Sequence, residues 1–362
     1  MVKILHAADF HLDSAFTALD EEHARHRRQE SRRLVERMVS YANEQDVALV
    51  LLAGDLFDSD DIYAQTGEEL ASALGQCRAQ VVIAPGNHDY YAPKGAYERI
   101  RWPENVHIFT QDVLTRLDFP SLSCSVYGAA FTSPAVDSAA VLDGFTAPED
   151  GWVHLLLLHG DVGVKDSRYR PLRPEQLQKT NVDYAALGHQ HAFSGLCRAG
   201  SVVYAYSGCP EGRGFDETGE KGVLCGTVAP GEVSLQFVPL CQRRYELLRV
   251  DVGDREPEEA IIAALPPETR GDVYRITLTG ETDRPVRTEV LHQALCDRFY
   301  ALEVRDETRM KRDLWEKCGE DSLRGLFLQQ LRRRYESAGE QERMEIERAV
   351  RFGLAAIDNR EM

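Results

Sequence analysis

The sequence has little that would place the protein in a membrane or hold it together by cross-links. No run of its residues approaches the ~18 consecutive apolar residues that a membrane-spanning helix needs. The first residues have only a short apolar run, without the pattern of a cleavable signal. The eight cysteines are scattered, and none forms a C-x-x-C pair. We therefore expect a cytoplasmic protein with isolated thiols, without disulfides or a cysteine-bound zinc ion.

Positive charge is also in short supply. The chain has 42 lysines and arginines against 59 aspartates and glutamates, a formal net charge of −17. Nucleic-acid binding usually requires a basic surface, so this balance argues at first against a nucleic-acid partner. Residues 305–362, however, hold 13 basic and 13 acidic residues, so the deficit lies wholly in the first 304. Carboxylates gathered around bound cations would explain part of it, so net charge alone excludes no partner.

What the sequence does contain is five apolar runs that each end in a cluster of polar residues. The runs are VKILHAADFH (residues 2–11), VALVLLAGDLFD (47–58), VVIAPGNHD (81–89), VHLLLLHGD (153–161) and DYAALGHQH (183–191). Continuous apolar stretches of this length predict strands that are covered on both faces. Helical spacing of apolar residues follows the first two runs, at residues 34–42 and 70–74. This alternation predicts a layered α/β fold with helices on both faces of a sheet.

The rest of the chain has a different pattern. Short strands and glycine turns over residues 200–239 predict a second sheet. Residues 245–305 alternate three strands with two helices, which predicts a small α+β module. Residues 313–359 are predicted to be helical, with two apolar faces separated by a break at ESAG. The faces consist of Leu323, Leu326, Phe327 and Leu331, then Ile346, Val350, Leu354 and Ile357.

The polar clusters carry the candidate chemistry. In open sheets of this type, ligands bind beyond the carboxyl ends of the strands, and each cluster lies at such an end. The clustered residues are Asp9, His11, Asp55, Asn87, His88, His159, His189 and His191. Taken singly, each cluster has an ordinary explanation as a turn or a strand cap, but coincidence at five strand ends is a poor explanation. Carboxylate, imidazole and amide ligands suit Mn²⁺, Fe²⁺ or Zn²⁺, and the set is large enough for two ions about 3.5–4 Å apart.

The motifs DFH, GDLFD, GNHD, HGD and GHQH together resemble the calcineurin-like metallophosphoesterase superfamily over about residues 1–240. The opening ILHAADFHLDS, and ALGHQH followed by YSGCPEGRGFDETGEKGV, are similar to the SbcD-type exonuclease subunit of bacterial DNA repair complexes, in its YhaO-like branch. The resemblance implies a two-sheet β-sandwich flanked by helices, in four layers α/β/β/α. It further implies a nuclease domain at residues 1–240, a DNA-capping-like α+β domain at 245–305 and a helical partner-docking segment at 310–362.

The resemblance also implies roles for individual residues. Asp9, His11 and His191 would hold one ion, Asn87, His159 and His189 the other, and Asp55 would bridge them. His88 would be the catalytic residue, stabilising the phosphate or protonating the leaving oxygen. Asp58 and Asp89 are expected to orient these side chains.

The implied activity is a metal-dependent DNA nuclease, an exonuclease with a possible single-strand endonuclease activity. The implied cofactor is a pair of Mn²⁺ ions, with Fe²⁺ or Zn²⁺ as alternatives, and the implied partners are DNA, a second copy of the chain and an ABC-type coiled-coil ATPase similar to SbcC. Tyr90 and Tyr91 are candidates to stack on bases, and Arg27 and Arg28 to contact phosphates, although packing and a solvated helix face explain them equally well.

Two other functions stay open at this point. A phosphodiesterase or phosphatase for nucleotides or small esters fits the acidic composition better, because a small substrate needs no basic groove. A non-catalytic scaffold that recruits the ATPase would show a broken ligand set, whereas every expected position is filled here.

Overall fold

The five apolar runs form strands of two large sheets. The computed structural model describes residues 1–59, 62–253, 255–282, 285–310 and 314–357. The predicted docking segment at residues 310–362 therefore lies partly outside the described residues, at 311–313 and 358–362.

The strands and helices have the following bounds. The strands are β1 (Val2–Ala7), β2 (Leu49–Leu52), β3 (Gln80–Ile83), β4 (Val106–Ile108), β5 (Thr115–Phe119), β6 (Cys124–Gly128), β7 (Val153–His159), β8 (Asp161–Val162), β9 (Pro171–Leu172), β10 (Tyr184–Gly188), β11 (Cys197–Ala199), β12 (Val202–Tyr206), β13 (Gly222–Ala229), β14 (Glu232–Pro239), β15 (Tyr245–Asp251), β16 (Val273–Thr279), β17 (Glu281–Thr282), β18 (Ala301–Asp306) and β19 (Arg309–Met310). The helices are α1 (Glu21–Glu44), α2 (Ala64–Gly75), α3 (Ala96–Arg99), α4 (Pro174–Lys179), α5 (Pro257–Ala264), α6 (Thr288–Leu295), α7 (Leu323–Ser337) and α8 (Glu340–Ile357).

Each large sheet has six strands. The first has the order β14-β13-β1-β2-β3-β4, and the second has the order β11-β12-β10-β7-β6-β5. Strands β1 to β4 run parallel, as do β6, β7, β10 and β12, and the remaining strands pair antiparallel with their neighbours. All the parallel strands of one sheet therefore end at the same edge of that sheet.

The prediction that residues 200–239 form a second sheet is wrong in part. Strand β12 joins the second sheet, but β13 and β14 extend the first. The physical reason is that β2 occupies only one edge of β1. The hairpin β13–β14 pairs with the other edge, in a register that places Ile4 opposite Gly226.

Three apolar layers separate the sheets and helices, and β1 shows why its sequence is apolar throughout. Ile4 lies in the core between the two sheets, together with Leu155 of β7. Leu5 points to the other face, into a core that contains Leu34 of α1. A third core lies on the far side of the second sheet and includes Leu177 of α4. The predicted α/β fold, a two-sheet sandwich flanked by helices, is confirmed.

The later part of the chain contains the predicted α+β elements and a pair of helices. Strands β15, β16 and β18 form a three-stranded sheet, with α5 and α6 in the two connections. Helices α7 and α8 share a small core around Leu328 and Val350. They approach closely at Gly353, where a Cβ atom would collide with the ring of Phe327.

Two compact units make up the chain. One consists of Met1–Leu248, Pro266–Ile276 and His292–Glu303, and the other of Arg249–Leu265, Thr277–Leu291 and Val304–Met362. The functional division predicted at residues 1–240, 245–305 and 310–362 stays a prediction. All eight cysteines are free. No helix in the described ranges combines the length and the apolar composition that crossing a bilayer requires.

Candidate metal centre

The carboxyl ends of five strands from both sheets meet at the candidate site. Asp9 and His11 follow β1, Asp55 follows β2, Asn87 follows β3, His159 ends β7, and His189 and His191 follow β10. Beyond the strands, the chain after β1 stays bonded to the chain after β2, through Asp9 N–H to Gly54 O (3.0 Å) and His11 N–H to Asp55 O (2.9 Å). The backbone thereby holds these first ligand candidates next to each other.

Several of these residues have an unusual backbone conformation. Asp9, His11, Asp55 and His189 have φ angles of 57°, 44°, 52° and 105°, in the left-handed region that side chains other than glycine rarely adopt. Each such residue costs of the order of 1 kcal/mol or more, and such strain concentrates at functional sites. The neighbouring Gly86 is required for a different reason, because a Cβ atom there would collide with the carboxylate of Asp55.

One group of side chains surrounds the Nε2 atoms of His11 and His191, which lie 3.2 Å apart. The other ring nitrogen of His191, Nδ1, lies 2.7 Å from Glu217 Oε1. His11 Nδ1 lies 3.2 Å from Asp58 Oδ1 but is not aligned for a hydrogen bond, which leaves this buried nitrogen without a hydrogen-bond partner. Asp9 completes the group: one donor atom from each of Asp9, His11 and His191 lies within 4.8 Å of the others.

A second group surrounds His159, which is fully buried. Its Nδ1–H donates to Ala53 O (2.9 Å), and its Nε2 lies 3.0 Å from Asn87 Oδ1 and 3.4 Å from Asp55 Oδ2. The ring of His189 makes an edge contact with that of His159, at 5.2 Å between centroids. Donor atoms of Asp55, His159 and His189 lie within 4.8 Å of one another.

Asp55 links the two groups. Its Oδ2 lies 3.4 Å from His159 Nε2 in the second group and 3.7 Å from His11 Nε2 in the first. Its Oδ1 accepts from the backbone N–H of His88 (3.0 Å). This is the position that a bridging carboxylate would occupy between two ions.

The electrostatics of the buried carboxylates show that the site is short of positive charge. Within the described ranges, no lysine or arginine lies at ion-pair distance from Asp9 or Asp55. Burial raises the pKa of Asp9 to about 6. Burial alone would lower the pKa of His159, but the carboxylates of Asp55 and Asp9 raise it to about 9, so that this imidazole carries the compensating charge. Burial lowers the pKa of His11 to about 4, so its ring is neutral and can act as a metal ligand.

These observations fit two divalent cations. Buried carboxylates without a cationic side chain, ring nitrogens that face one another and a buried nitrogen without a partner are all features that bound cations would satisfy. The donor set of imidazole, carboxylate and amide oxygen is that of Mn²⁺, Fe²⁺ or Zn²⁺ sites. The protein is therefore a metal-binding protein in its chemistry, and the structure brings all the predicted ligands into one site.

His88 lies beside this site and is exposed to solvent. Its Nδ1–H donates to the carbonyl oxygen of Asp58 (3.0 Å), and its ring centroid lies 4.8 Å from that of His11. A donor atom of His88 also lies within 4.8 Å of donors of His11 and Asp58. His88 is thus the one accessible imidazole among the five in the site that is not enclosed by the other side chains.

Asp89 does not face the site but holds its backbone together. Its carboxylate, fully buried, accepts the N–H groups of Gly86 (2.8 Å), Asp55 (3.2 Å), Leu56 (2.7 Å) and Phe57 (3.2 Å). The hydroxyl of Tyr97 also donates to it (2.7 Å). Asp89 therefore fixes the turn after β2 to the turn after β3, which positions Asp55.

The predicted DNA contacts have different surroundings. The prediction for Arg27 is wrong, because its guanidinium is fully buried and pairs with Glu30 (2.8 Å) and Glu211 (2.7 Å). Arg28 is partly exposed, with Nη1 donating to a backbone oxygen (3.3 Å), and stays a prediction. Tyr90 and Tyr91 are partly buried, and the Tyr91 hydroxyl donates to Glu98 (3.2 Å), so base stacking by either also stays a prediction.

The structure adds residues that the sequence did not single out. Glu217 is buried, contacts His191 and pairs with Arg213, which also reaches Asp58 Oδ1 (3.2 Å). Asp161 Oδ2 lies 3.5 Å from His189 Nε2. The only signal in the sequence was charge inside the glycine-rich stretch EGRGFDETGEKG, which has no periodicity that would place those side chains.

Comparisons with known proteins agree with this geometry. The family model for calcineurin-like phosphoesterases matches residues 2–193, a range that contains every predicted ligand. The chain is 32% identical over 270 residues to an uncharacterized metallophosphoesterase, YhaO, of Bacillus subtilis (strain 168). That match covers 71% of this chain, and the chain spans 65% of the length of that relative.

Proposed function

The chain belongs to the calcineurin-like phosphoesterase family, and we propose that it is a metal-dependent nuclease that hydrolyses the phosphodiester bonds of DNA. At the coarser level it is a metallophosphoesterase, a hydrolase of phosphoesters that binds divalent metal ions. The observation that carries the chemistry is the convergence of the two donor groups on Asp55, at the carboxyl ends of strands from both sheets.

The residues divide the work of hydrolysis between them. Asp9, His11 and His191 would hold one ion, Asn87, His159 and His189 the other, and Asp55 would bridge them. When bound, the ions neutralise the phosphate and lower the pKa of the attacking water. The left-handed backbone at Asp9, His11 and Asp55 sets the donor atoms in place before substrate arrives, so little reorganisation is needed during the reaction.

His88 supplies the proton in this proposal. Because Nδ1–H is engaged with the carbonyl oxygen of Asp58, the proton that the ring gains and loses is on Nε2. The exposed position of the ring allows that atom to reach a substrate oxygen. A protonated Nε2 would stabilise the phosphate and then donate its proton to the leaving oxygen.

DNA is favoured as the substrate by what lies outside the phosphoesterase sandwich. An enzyme for small esters has no evident use for the three-stranded sheet of β15, β16 and β18 or for the pair α7–α8. The helix pair buries one apolar face in its own core and leaves large apolar residues on its surface. These are Leu323, Leu326, Met344 and Phe352, which are 74%, 57%, 54% and 58% exposed.

The same exposed face supports a partner protein. We infer that α7 and α8 dock on an ABC-type coiled-coil ATPase similar to SbcC, because a contiguous apolar surface on a helix pair typically marks a protein contact. The exposed side of α1 would pair two copies of the chain, and Mn²⁺ would be the physiological ion. Cleavage as an exonuclease, in double-strand-break repair, follows from the same resemblance to the SbcD-type subunit.

The substrate is tested with the purified chain and Mn²⁺, with and without the ATPase. End-labelled linear duplex DNA, circular single-stranded DNA and bis-p-nitrophenyl phosphate are offered in parallel. We expect cleavage of the small ester and of DNA ends, with an Asp55→Asn variant inactive on every substrate. Hydrolysis of the small ester without cleavage of either DNA, even with the ATPase present, would contradict the nuclease proposal.

The docking face is tested by a paired substitution. Leu326→Glu with Phe352→Glu places two charges on the exposed apolar face, and we expect it to abolish co-purification with the ATPase while hydrolysis of the small ester is retained. Val113, an apolar residue of similar exposure (55%) in the sandwich unit, provides the matched control as Val113→Glu. Unchanged co-purification of the paired variant would rule out this face.

A second candidate is a phosphodiesterase for nucleotides or small phosphate esters. The net charge of −17 favours it, because phosphate backbones bind poorly to an acidic surface. It shares the site and mechanism proposed above and differs only in the substrate, so the same substrate panel separates the two.

A further inference from the structure

The segment that follows β12 reaches the site from outside through charged side chains. Glu217 Oε1 lies 2.7 Å from His191 Nδ1, and both carboxylate oxygens of Glu217 are 3.2 Å from Arg213 Nε. Arg213 Nη1 in turn lies 3.2 Å from Asp58 Oδ1, and the same oxygen lies 3.2 Å from His11 Nδ1. We call Glu217, Arg213 and Asp58 the outer brace.

The outer brace closes a ring around one ion site. On the inside, His11 and His191 face each other through their Nε2 atoms, 3.2 Å apart. On the outside, their Nδ1 atoms are joined by a carboxylate, a guanidinium and a second carboxylate. In the described part of the chain, no comparable bridge of charged groups connects the ligands of the second group, where His159 Nδ1 bonds to a backbone oxygen instead.

The contact with Glu217 fixes which nitrogen of His191 carries the proton. A carboxylate only accepts hydrogen bonds, so the 2.7 Å contact requires a proton on Nδ1 and leaves the lone pair of a neutral ring on Nε2, the atom that faces His11. Arg213 Nη2 also lies near Nδ1, at 3.1 Å, but that nitrogen already donates to Glu217 Oε1. The shorter contact and the two-sided pairing of Glu217 therefore decide the tautomer.

The backbone of His191 is held by the same segment. Its carbonyl oxygen accepts from the buried Lys221 Nζ (3.1 Å) and from the N–H of Cys209 (3.1 Å). Ring and backbone of this one ligand are thus both fixed by residues 209–221, although His191 itself belongs to the loop after β10.

We propose that Glu217, supported by Arg213, is a positioning residue that sets the affinity of the Asp9–His11–His191 site for its ion and leaves the second site unaffected. A carboxylate behind a ligating histidine fixes the ring and raises its basicity, and its loss typically weakens metal binding by about 10- to 100-fold. The inference rests on the ligand assignment in the proposed function and does not depend on DNA as the substrate.

The test compares ion binding to the full chain, the Glu217→Gln variant and a matched control, Glu220→Gln. Glu220 is exposed and lies in the same segment, so its replacement removes the same charge without touching His191. Zn²⁺ and Mn²⁺ are titrated calorimetrically into the metal-free proteins, and bound metal is counted after dialysis. We expect two ions in the wild type and the control, and one ion bound about 10- to 100-fold more weakly in Glu217→Gln.

A spectroscopic signature separates positioning from general damage. In zinc-loaded protein with ¹⁵N-labelled histidine, the ring signals should show one ligand with a hydrogen-bonded Nδ1–H that shifts in Glu217→Gln and is unchanged in the control. Two ions bound with wild-type affinity, or an unshifted Nδ1 signal, would overturn the inference. A wild-type chain that binds no ion would instead refute the ligand assignment itself, and with it the proposed function.

A second variant covers the case in which Glu217→Gln does not fold. Arg213→Lys keeps the positive charge but cannot hold Glu217 and Asp58 at once, because lysine lacks the planar fork of arginine. The same titration should again show weaker binding of one ion, and wild-type binding of both would overturn the inference.

Discussion

Two fully buried histidines show how their partners, more than their burial, determine their charge. His6, in β1, donates Nε2–H to Leu187 O (3.1 Å) and accepts at Nδ1 from the hydroxyl of Tyr184 (2.8 Å), which satisfies a neutral ring completely. Burial lowers its pKa to about 3. His159 is buried equally, yet two carboxylates reverse the effect of burial and raise its pKa to about 9. One imidazole therefore joins the two sheets, and the other responds to charge in the site.

His6 makes stability depend on pH in a defined direction. Its pKa is about 3 in the folded chain against 6.5 for a free histidine, so below pH 6.5 only the unfolded chain gains this proton. Its stabilisation is complete above pH 6.5 and is lost as the pH falls towards 3, by up to about 1.4 kcal/mol per pH unit. We expect urea unfolding of metal-free protein at pH 5, 6 and 7 to show a shallower slope for His6→Asn. Parallel slopes would contradict this.

His88 is expected to act in turnover without holding an ion. The variant His88→Ala should lower kcat for bis-p-nitrophenyl phosphate by about 10²- to 10⁴-fold, the usual contribution of a general acid. Its metal content should stay at two ions, whereas His11→Ala should lose one. An exposed histidine outside the site, as His26→Ala, is the control. Loss of both ions in His88→Ala would show that its role is wrongly assigned.

At the scale of elements, the site depends on turns that are tied to one another. The turn after β2 carries Asp55, and the turn after β3 carries Asn87 and His88. Asp89 joins them by accepting four backbone N–H groups and one hydroxyl. A single buried carboxylate therefore sets the distance between the bridging ligand candidate and its neighbours.

Replacing this carboxylate by an amide should loosen both turns. In Asp89→Asn, an NH₂ group faces N–H donors, and we expect the free energy of unfolding to fall by about 3 kcal/mol. Tyr97→Phe removes only one of the five donors and should cost about 1.5 kcal/mol. Chemical denaturation of metal-free protein measures both, with the exposed Asp137→Asn as the control. Equal stability of Asp89→Asn and wild type would contradict the role given to Asp89.

At the scale of the whole molecule, the sequence predicted the sandwich and the ligand set because both depend on short, local patterns. The five apolar runs mark strands buried on both faces, and each ligand candidate lies within a few residues of a strand end. The same reasoning failed for Arg27, since a charged helix normally faces solvent. Its partner Glu211 lies 184 residues away in the chain, and no local pattern connects the two.

The fold could not be predicted where pairing is non-local. The hairpin β13–β14 extends the first sheet because β1 has a free edge, a property of the assembled sheet and not of residues 222–239. Glu217 and Arg213 were missed for the same reason, because they lie in an irregular segment whose contacts are made with His191 and Asp58.

Metal ions should stabilise the whole sandwich. Ions that bind the folded chain and not the unfolded one add about 2.7 kcal/mol per site at a free concentration about one hundred times the dissociation constant. We expect the melting temperature to rise with added Mn²⁺ and to fall again with a chelator, and Asp55→Asn to lose most of the rise. Differential scanning calorimetry measures it, and a melting temperature that does not respond to Mn²⁺ would contradict a metal centre here.

The spread of the ligands along the chain constrains how the enzyme is made. Asp9 is among the first residues to leave the ribosome, whereas His191 emerges only after more than half of the 362 residues have been translated. A nascent chain that has formed the strands of the first sheet alone still lacks three imidazoles of the centre. Loading with metal is therefore a late event in biosynthesis, and a polypeptide whose translation stops before the GHQH motif can be compact and yet inert.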